Sequence, residues 1–224
     1  KHPLLTILRG PVICLWTQIK SSMRFFNTPK LIQFLFPKWN WKGVGKDSIY
    51  LTFDDGPNKK ITPWILSYLK SKNIKATFFC VGEMAAQSPE ILEEIINDGH
   101  AIGHHTMNHE NGWKTAINDY LEAVKQSGQF INSNLFRPPY GKITLAQSKK
   151  LRNNGFNIIM WTWLSYDFDP QVSAKKIVSK AKKIKGGDIL VFHDNEHDIE
   201  KTKEILPPII NELLRRGLIF KTLA

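Results

Sequence analysis

Cysteine is almost absent from this sequence, which has two cysteines, Cys14 and Cys80, in 224 residues. Two cysteines are too few for a cysteine-based zinc cluster or for the disulfide framework of a small secreted domain. The fold needs neither a zinc cluster nor disulfides, because a chain of this length with 42% apolar residues can bury a sufficient core by itself. Cys80 follows the apolar run 76–79, so we predict a buried free thiol at that position.

Long hydrophobic runs, internal repeats and low-complexity linkers are also lacking. The apolar N-terminal stretch over residues 4–16 is interrupted by Arg9, Gly10 and Pro11 and is too short to span a bilayer. It has no clear small-residue cleavage site, which makes an export signal a weak interpretation. We predict an N-terminal extension over residues 1–46, with residues 1–22 outside the folded domain, and a single domain over residues 47–224.

Acidic residues are in deficit, with 20 Asp and Glu against 31 Lys and Arg, so the net charge is +11. Such a charge indicates either an anionic partner or simply a well-solvated surface. Six lysines within residues 173–185 have the spacing of the wet face of an amphipathic helix, and no nucleic-acid-binding motif accompanies them. The aromatic and basic residues 24–42 could contact a membrane, but such a segment more often packs across the base of a domain. We therefore predict no nucleic-acid partner and no firm membrane partner.

Strand and helix patterns alternate about seven times after residue 47. This alternation predicts βα units and a mainly parallel sheet, either doubly wound or curled into a barrel. The barrel is favoured, because polar residues follow the ends of several predicted strands and such ends converge on one face of a barrel. Thr62 and Ser88 are predicted to cap the first two helices. The predicted strands cover residues 48–53, 75–81, 101–103, 135–136, 156–163, 188–192 and 218–223, and the predicted helices cover residues 62–71, 89–98, 113–132, 144–154, 173–185 and 202–216.

Two short segments supply candidate metal ligands. Asp54 and Asp55 end the first predicted strand, where side chains alternate, so one carboxylate can bind a metal while the other faces substrate. His105 and His109 are four residues apart, which in a helical turn would place both imidazoles on one face. Two imidazoles and a carboxylate are a common facial ligand set for Zn, Co, Ni or Fe. We predict that Asp55, His105 and His109 bind a metal.

Three further polar positions follow later strands. Arg137 precedes two prolines, and a fixed guanidinium lowers the pKa of a neighbouring carboxylate and orients it. Tyr140, just after those prolines, has a backbone N–H that could face an oxyanion. A histidine beside a carboxylate has a raised pKa that suits a general acid, a role open to His193 if it meets Asp167. Taken alone, each position also fits a rigid turn or an ordinary buried polar side chain.

The order and spacing of these segments resemble the polysaccharide deacetylases, carbohydrate esterase family 4. The matching motifs are Thr-Phe-Asp-Asp-Gly at 52–56, His-Thr-x-x-His at 105–109 and Arg-Pro-Pro-Tyr-Gly at 137–141, with weaker matches ending at Asp167 and His193. The resemblance covers about residues 47–223. It implies an α/β fold, a distorted (β/α)7-8 barrel, and metal-dependent removal of N-acetyl groups from an N-acetylglucosamine polymer such as peptidoglycan or chitin.

The resemblance also implies a role for each site residue. Asp54 would be the general base, kept ionised by Arg137, and His193 would be the general acid, tuned by Asp167. The Tyr140 backbone N–H would stabilise the oxyanion together with the metal. The implied cofactor is a divalent metal, with zinc preferred over cobalt or nickel, and its ligands are Asp55, His105 and His109.

Three positions depart from the usual family pattern and leave the substrate class open. His104 stands where an Asn or similar residue is usual, Phe168 where Trp is frequent, and Val191 where Leu is usual. The alternatives are an esterase acting on O-acetyl groups of xylan-like glycans, a hydrolase of small cyclic amides, and a catalytically silent carbohydrate-binding protein. Retention of Asp54 and His193 argues against the silent protein. We expect an acetylated glycan as partner, a monomer, and an envelope or extracellular location by family resemblance.

Overall fold

The computed structural model describes residues 24–196 and 199–224, and the predictions for Cys14 and for residues 1–22 lie outside these ranges. Strands and helices alternate along most of the chain, as the sequence pattern predicts. The strands are β1 (Ser48–Asp54), β2 (Thr77–Cys80), β3 (Ala101–His104), β4 (Leu135–Phe136), β5 (Asn157–Ile158), β6 (Trp163–Leu164), β7 (Ile189–His193) and β8 (Ile219–Phe220). The helices are α1 (Lys30–Leu35), α2 (Thr62–Ser71), α3 (Gly82–Gln87), α4 (Pro89–Asn97), α5 (Ile117–Ser127), α6 (Leu145–Asn153), α7 (Ala174–Ala181) and α8 (Ile199–Arg215).

The described strands form one parallel sheet with the order β5-β4-β3-β2-β1-β7-β6, and β8 pairs with the first residues of β1. Each strand from β1 to β5 lies beside its predecessor, and β6 and β7 return to the other side of β1. This order follows the chain around a curled sheet without the reversal that defines a doubly wound fold. The predicted distorted barrel is therefore confirmed, and the doubly wound alternative is wrong.

The barrel has a break between β5 and β6, where the sequence predicted one long strand over residues 156–163. The chain between these short strands pairs instead with the segment that precedes β1: Met160 N donates to Asn40 O at 2.8 Å, and Thr28 N donates to Thr162 O at 2.9 Å. Phe26, nearby in this segment, is buried. The N-terminal segment thus satisfies the Met160 N–H and the carbonyls of Trp161 and Thr162, at the point where the predicted strand divides in two.

Several predicted helices differ in detail. Helix α3 was not predicted from the sequence, and the helix predicted over 113–132 is shorter, Ile117–Ser127. Ile61 occupies the N-cap of α2, and the hydroxyl of Thr62, the first helical residue, accepts a hydrogen bond from Asn58 N. The final helix continues through Pro207 and Pro208, supported by a buried stripe of Ile205, Leu206, Ile209, Ile210 and Leu213. No helix in the described residues is both long and apolar enough to cross a membrane.

The side chains of β1 alternate between two buried surfaces, and this alternation positions the site. Leu51 and Phe53 belong to the main apolar core, where Phe53 stacks on Phe78 with ring centroids 5.0 Å apart. Tyr50 belongs to a separate cluster on the other surface. Asp54 therefore ends β1 on the same side as Tyr50, pointing away from the main core.

Candidate active site

Arg137 and Asp54 form a buried ion pair at the carboxyl end of the sheet. Arg137 is fully buried, and its Nη1 lies 2.6 Å from Asp54 Oδ1 and 2.6 Å from Thr52 Oγ1. Its guanidinium also donates to the carbonyl of Met160 and lies 4.1 Å from the centroid of the Phe79 ring. Burial lowers the pKa of Arg137, and the Asp54 carboxylate opposes that effect. The structure thus brings together Arg137 and Asp54, the two groups that the family resemblance pairs.

Asp55, His105 and His109 converge beside that pair. Asp55 Oδ1 lies 3.6 Å from His105 Nε2 and 3.1 Å from His109 Nε2, and the potential ligand atoms of the three residues all lie within 4.8 Å of one another. Asp55 has a φ of 85°, which turns its side chain away from the direction of Asp54. The two neighbouring carboxylates are thus separated into an arginine-bound group and a histidine-facing group.

The convergence of the two histidines does not arise from a helical turn, and the helical interpretation of their spacing is wrong. Residues 105–109 form an irregular loop in which Thr106 and His109 have φ values of 65° and 59°. The Thr106 hydroxyl accepts a hydrogen bond from Glu110 N, which stabilises the turn. Two residues in the left-handed region reverse the chain locally and bring the His109 ring within 5.0 Å of the His105 ring, centroid to centroid.

The donor set fits a divalent metal. For ligand atoms about 2.0–2.2 Å from a tetrahedral zinc, ligand atoms are separated by about 3.3 Å, close to the two nitrogen–oxygen distances found here. The His105 Nδ1–H donates to Arg137 O at 2.8 Å, which leaves Nε2 facing Asp55. Burial lowers the pKa of His105 to about 4, so its imidazole is neutral at pH 7, as a ligand must be. Asp55 and His109 are partly exposed, so the group opens toward solvent on one side.

His193 and Asp167 form the second predicted pair. His193 Nδ1 lies 2.7 Å from Asp167 Oδ1, and the His193 backbone N–H donates to Asp167 Oδ2 at 2.8 Å. Burial lowers the pKa of His193, but the Asp167 carboxylate and the charges of Asp55 and Asp54 outweigh burial and raise the pKa to about 10. His193 is also the register partner of Asp54 in the β1–β7 pairing, so the two predicted acid–base groups lie on adjacent strand ends.

Three contacts at the site escaped the sequence prediction. Tyr140, singled out for its backbone N–H, also places its hydroxyl 3.0 Å from His109 Nδ1. Asn195 Nδ2 donates to Asp55 Oδ2 at 2.9 Å, and the buried Asp194 accepts from Gly56 N at 2.8 Å. The only sequence signal for Asp194 and Asn195 was their position directly after His193, which does not indicate where their side chains point.

His104 is next to a predicted ligand but belongs to a different environment. Its Nδ1 lies 2.8 Å from Ser127 Oγ and its Nε2 lies 3.0 Å from Ser133 O. Burial lowers the pKa of His104, which keeps the ring neutral. The adjacent histidines therefore separate by strand alternation, with His104 joining β3 to α5 and His105 joining the candidate metal group.

Fold and site together define a class of protein, a parallel (β/α)-barrel hydrolase with a candidate Asp-His-His metal group beside an aspartate–arginine pair and a histidine–aspartate pair. The family model described as polysaccharide deacetylase matches residues 42–159, more than half of the chain. The chain belongs to the polysaccharide deacetylase family and is a hydrolase of that type.

Similar proteins support this assignment over most of the chain. A peptidoglycan-N-acetylglucosamine deacetylase of Bacillus cereus is 33% identical over 183 residues, which cover 79% of this chain and 86% of that protein. A chitooligosaccharide deacetylase of Sinorhizobium fredii is 27% identical, and the match covers 81% of this chain and 92% of that protein. The crystal structure of a peptidoglycan N-acetylglucosamine deacetylase, in complex with a substituted benzamide, matches with a TM-score of 0.80 and 32% identity over 86% of this chain and 94% of that chain.

Proposed function

We propose that this protein removes N-acetyl groups from an N-acetylglucosamine-containing glycan and that the reaction requires a divalent metal. The observation that carries the proposal is the convergence of Asp55, His105 and His109 next to Asp54, whose neighbour on the adjacent strand end is His193. The named activities of the similar proteins, on peptidoglycan and on chitooligosaccharide, support the N-acetyl amino sugar as substrate class.

Asp55, His105 and His109 would hold the metal, with zinc as the first candidate and cobalt or nickel as alternatives. When bound at such a site, a divalent cation polarises a carbonyl oxygen and lowers the pKa of water. The chain contributes the orientation of its ligands: Arg137 O fixes the His105 ring, Tyr140 Oη contacts the His109 ring, and Asn195 holds Asp55 Oδ2. Such supporting hydrogen bonds set the tautomer and direction of each ligand.

Asp54 would act as the general base. Its Oδ1 is held by Arg137, which leaves the second carboxylate oxygen to accept a proton from the water that attacks the acetyl carbon. Because Arg137 is fixed by Thr52 and by the Met160 carbonyl, the carboxylate is held in one orientation before substrate arrives.

His193 would act as the general acid that protonates the departing amine. Its raised pKa keeps the imidazole protonated near pH 7, and its Nδ1–H is occupied by Asp167, so Nε2–H is the proton available for transfer. The backbone N–H of Tyr140 is proposed to donate to the developing oxyanion. Tyr140 has a φ of 60°, an orientation that a regular helical or extended backbone would not give this peptide group.

The test is acetate release from N-acetylglucosamine oligomers, peptidoglycan and acetylated xylan, with chelated protein restored by Zn²⁺ or Co²⁺. We expect metal-dependent release from the amino-sugar substrates. Release from xylan alone would show that the protein removes O-acetyl groups instead. Absence of release from all three substrates by the metal-loaded protein would contradict the proposal and favour a cyclic amide substrate or a silent binding protein.

Adjacent histidines provide a matched control for the metal site. His105→Asn is expected to lose bound metal after dialysis and to lose activity with it, because the remaining two ligands cannot retain the ion. His104→Asn, one residue earlier, is expected to keep the metal, since His104 contacts Ser127 and Ser133 rather than the ligand group. Equal metal content of the two variants would show that the ligand assignment is wrong.

A further inference from the structure

The positive charge of the chain is concentrated before β1. Residues 1–46 contain eight Lys and Arg and no Asp or Glu, whereas the rest of the chain is nearly balanced, with 23 basic against 20 acidic residues. Most of the net charge of +11 therefore belongs to the N-terminal fifth of the sequence. A uniformly solvated surface gives no reason for this separation, since solubility is served by charges of both signs anywhere on the surface.

The described part of this segment exposes apolar side chains beside those charges. Helix α1 places Leu31, Phe34 and Leu35 on one face, and their exposed fractions are 67%, 79% and 51%. On the inner side, Ile32 and Phe36, the residue directly after the helix, pack on the cluster that contains Trp39, Trp41 and Met160. One face of α1 is thus used by the fold and the other presents three large apolar groups to solvent, a contiguous arrangement that marks interaction sites.

The lysines around α1 do not serve the helix or the fold. Lys30 lies at the helix N-terminus, the end at which the helix dipole disfavours a cation. Within the described residues, Arg24 pairs with Asp169 and Lys42 with Asp188, while Lys30, Lys38 and Lys46 have no carboxylate partner. These three ammonium groups are exposed and available to an external anion.

We infer that the outer face of α1, formed by Leu31, Phe34 and Leu35, docks on the surface of an anionic lipid bilayer together with Lys30 at the start of the helix and Lys38 three residues after its end. Charge complementarity selects anionic lipid, because the whole segment lacks carboxylates. The exposed apolar groups select a bilayer over a soluble polyanion, because only the boundary between headgroups and acyl chains offers both an apolar medium and negative charge. Burial of the apolar face and electrostatic attraction to anionic lipid both add to the strength of such surface binding.

Hydrogen bonds and an ion pair attach the segment that carries the docking face directly to the barrel. Thr28 donates through both its N–H and its hydroxyl to the chain between β5 and β6, and Arg24 Nε lies 2.6 Å from Asp169 Oδ2, two residues after Asp167. Binding through α1 would therefore hold the whole barrel in a defined orientation on the membrane. This inference goes beyond the proposed reaction, and its test requires no turnover.

The experiment is sedimentation of the full chain with vesicles of phosphatidylcholine alone and with vesicles in which about a third of the lipid is phosphatidylglycerol. We expect binding to the anionic vesicles only, weakened by added salt. Lys30→Gln/Lys38→Gln is expected to weaken binding about tenfold or more, because each lysine near an anionic surface contributes about fivefold. Lys175→Gln/Lys176→Gln on α7 removes the same charge elsewhere and is expected to bind as the parent does.

The apolar contribution is tested separately with Leu31→Ser/Phe34→Ser, which is expected to weaken vesicle binding about tenfold or more. Ile96→Ser, which removes an exposed apolar side chain from α4, is the control. Thermal unfolding of all variants should match the parent, since only exposed side chains change. Vesicle binding that is unchanged in Leu31→Ser/Phe34→Ser overturns the inference, and so does a parent that binds heparin but not anionic vesicles. A concentration-dependent dimer that the same variant abolishes would also overturn it, by assigning the face to a second copy of the chain.

Discussion

The guanidinium of Arg137 is a buried positive charge in the interior of the barrel, and its contacts compensate for the loss of water around it. The guanidinium contacts Asp54, Thr52 and the Met160 carbonyl and rests over the Phe79 ring. A buried charge with such a set of partners is stable only while the set is complete, because removal of one partner leaves the other charge uncompensated. Asp54 therefore has a structural as well as a proposed catalytic role, and its variants must be examined for both.

Asp54→Asn is expected to lower the turnover number by about 10²–10⁴-fold, the usual contribution of a general base. Its metal content should stay close to that of the parent, because Asp54 is bound by Arg137 and is not one of the three ligand residues. The neighbouring Asp55→Asn is the matched variant and is expected to lose the metal. Steady-state acetate release and metal analysis of both proteins distinguish a general base from a metal ligand. Near-normal turnover in Asp54→Asn would show that Asp54 is not the general base.

The pKa of the His193 imidazole depends on the neighbouring carboxylate of Asp167. In the metal-free protein His193 has a pKa of about 10, since Asp167 and the more distant Asp55 and Asp54 outweigh the effect of burial. Asp167→Asn is expected to lower that pKa toward the ordinary value of about 6.5, measured by NMR titration of the imidazole. Asp169→Asn removes a charge two residues away that pairs with Arg24, and it should leave the His193 titration unchanged.

Strand β7 has a buried carboxylate just outside each end, and only one of them supports the site. Asp194 follows the strand and accepts from Gly56 N and from the Thr62 hydroxyl, which joins the Asp54–Asp55 turn to the start of α2. Gly56 leaves no room for a side chain, because a Cβ at that position would lie about 2.0 Å from Asp194 Oδ2. Asp188 precedes the strand and accepts from Lys185 N at the opposite end of the barrel.

Asp194→Ala is expected to lower the free energy of unfolding by about 1–3 kcal/mol, because it leaves the Gly56 N–H and Thr62 hydroxyl without their buried acceptor. We also expect weaker metal binding, because the turn that carries Asp55 loses its attachment. Asp188→Ala should destabilise the fold without changing metal affinity. Urea unfolding and metal titration of the two variants test this, and unaltered metal affinity in Asp194→Ala would mean that the turn holds its shape without the carboxylate.

The stability of the whole metal-free protein should fall in acid because it buries histidines in neutral form, among them His100 and His105. Burial lowers the pKa of His100 and of His105 to about 4, below their ordinary value in the unfolded chain. Their contribution is therefore complete above about pH 6.5 and is lost as the pH falls to about 4, by roughly 1–3 kcal/mol for each group. His100 Nδ1 accepts from Ala76 N, and protonation removes that acceptor.

Urea unfolding of chelated protein across this pH range measures the effect. His100→Gln retains a hydrogen-bond acceptor but does not titrate, so its unfolding free energy should depend less steeply on pH than that of the parent. Asp194, whose pKa burial raises to about 8, stays protonated in the folded protein while it ionises in the unfolded chain above about pH 4. Its contribution to stability therefore grows as the pH falls through this range and opposes that of the histidines. Parallel curves for parent and His100→Gln would show that His100 is not a source of the acid sensitivity.

At the scale of the whole molecule, the barrel decides which distant residues meet. Arg137 and Asp54 are 83 residues apart and His193 and Asp167 are 26 residues apart, yet each pair is in hydrogen-bond contact. The sequence indicated these partners only because polar residues follow strands and because parallel strands converge at their carboxyl ends. The break between β5 and β6 could not be predicted in the same way, because it depends on pairing with residues 26–43.

The sequence by itself determined the βα alternation, the identity of the polar residues at the strand ends and the family, because periodicity and motif order are local properties of the chain. Tertiary structure alone decided the left-handed turn that brings His109 to His105, the attachment of Asp194 to Gly56 and the separation of His104 from His105. Each of these depends on backbone angles and on contacts between residues far apart in the chain, which residue spacing does not specify. The exposed face of α1 belongs to the same class, because the six residues of that helix show which side is outward only once Ile32 and Phe36 are packed on the barrel.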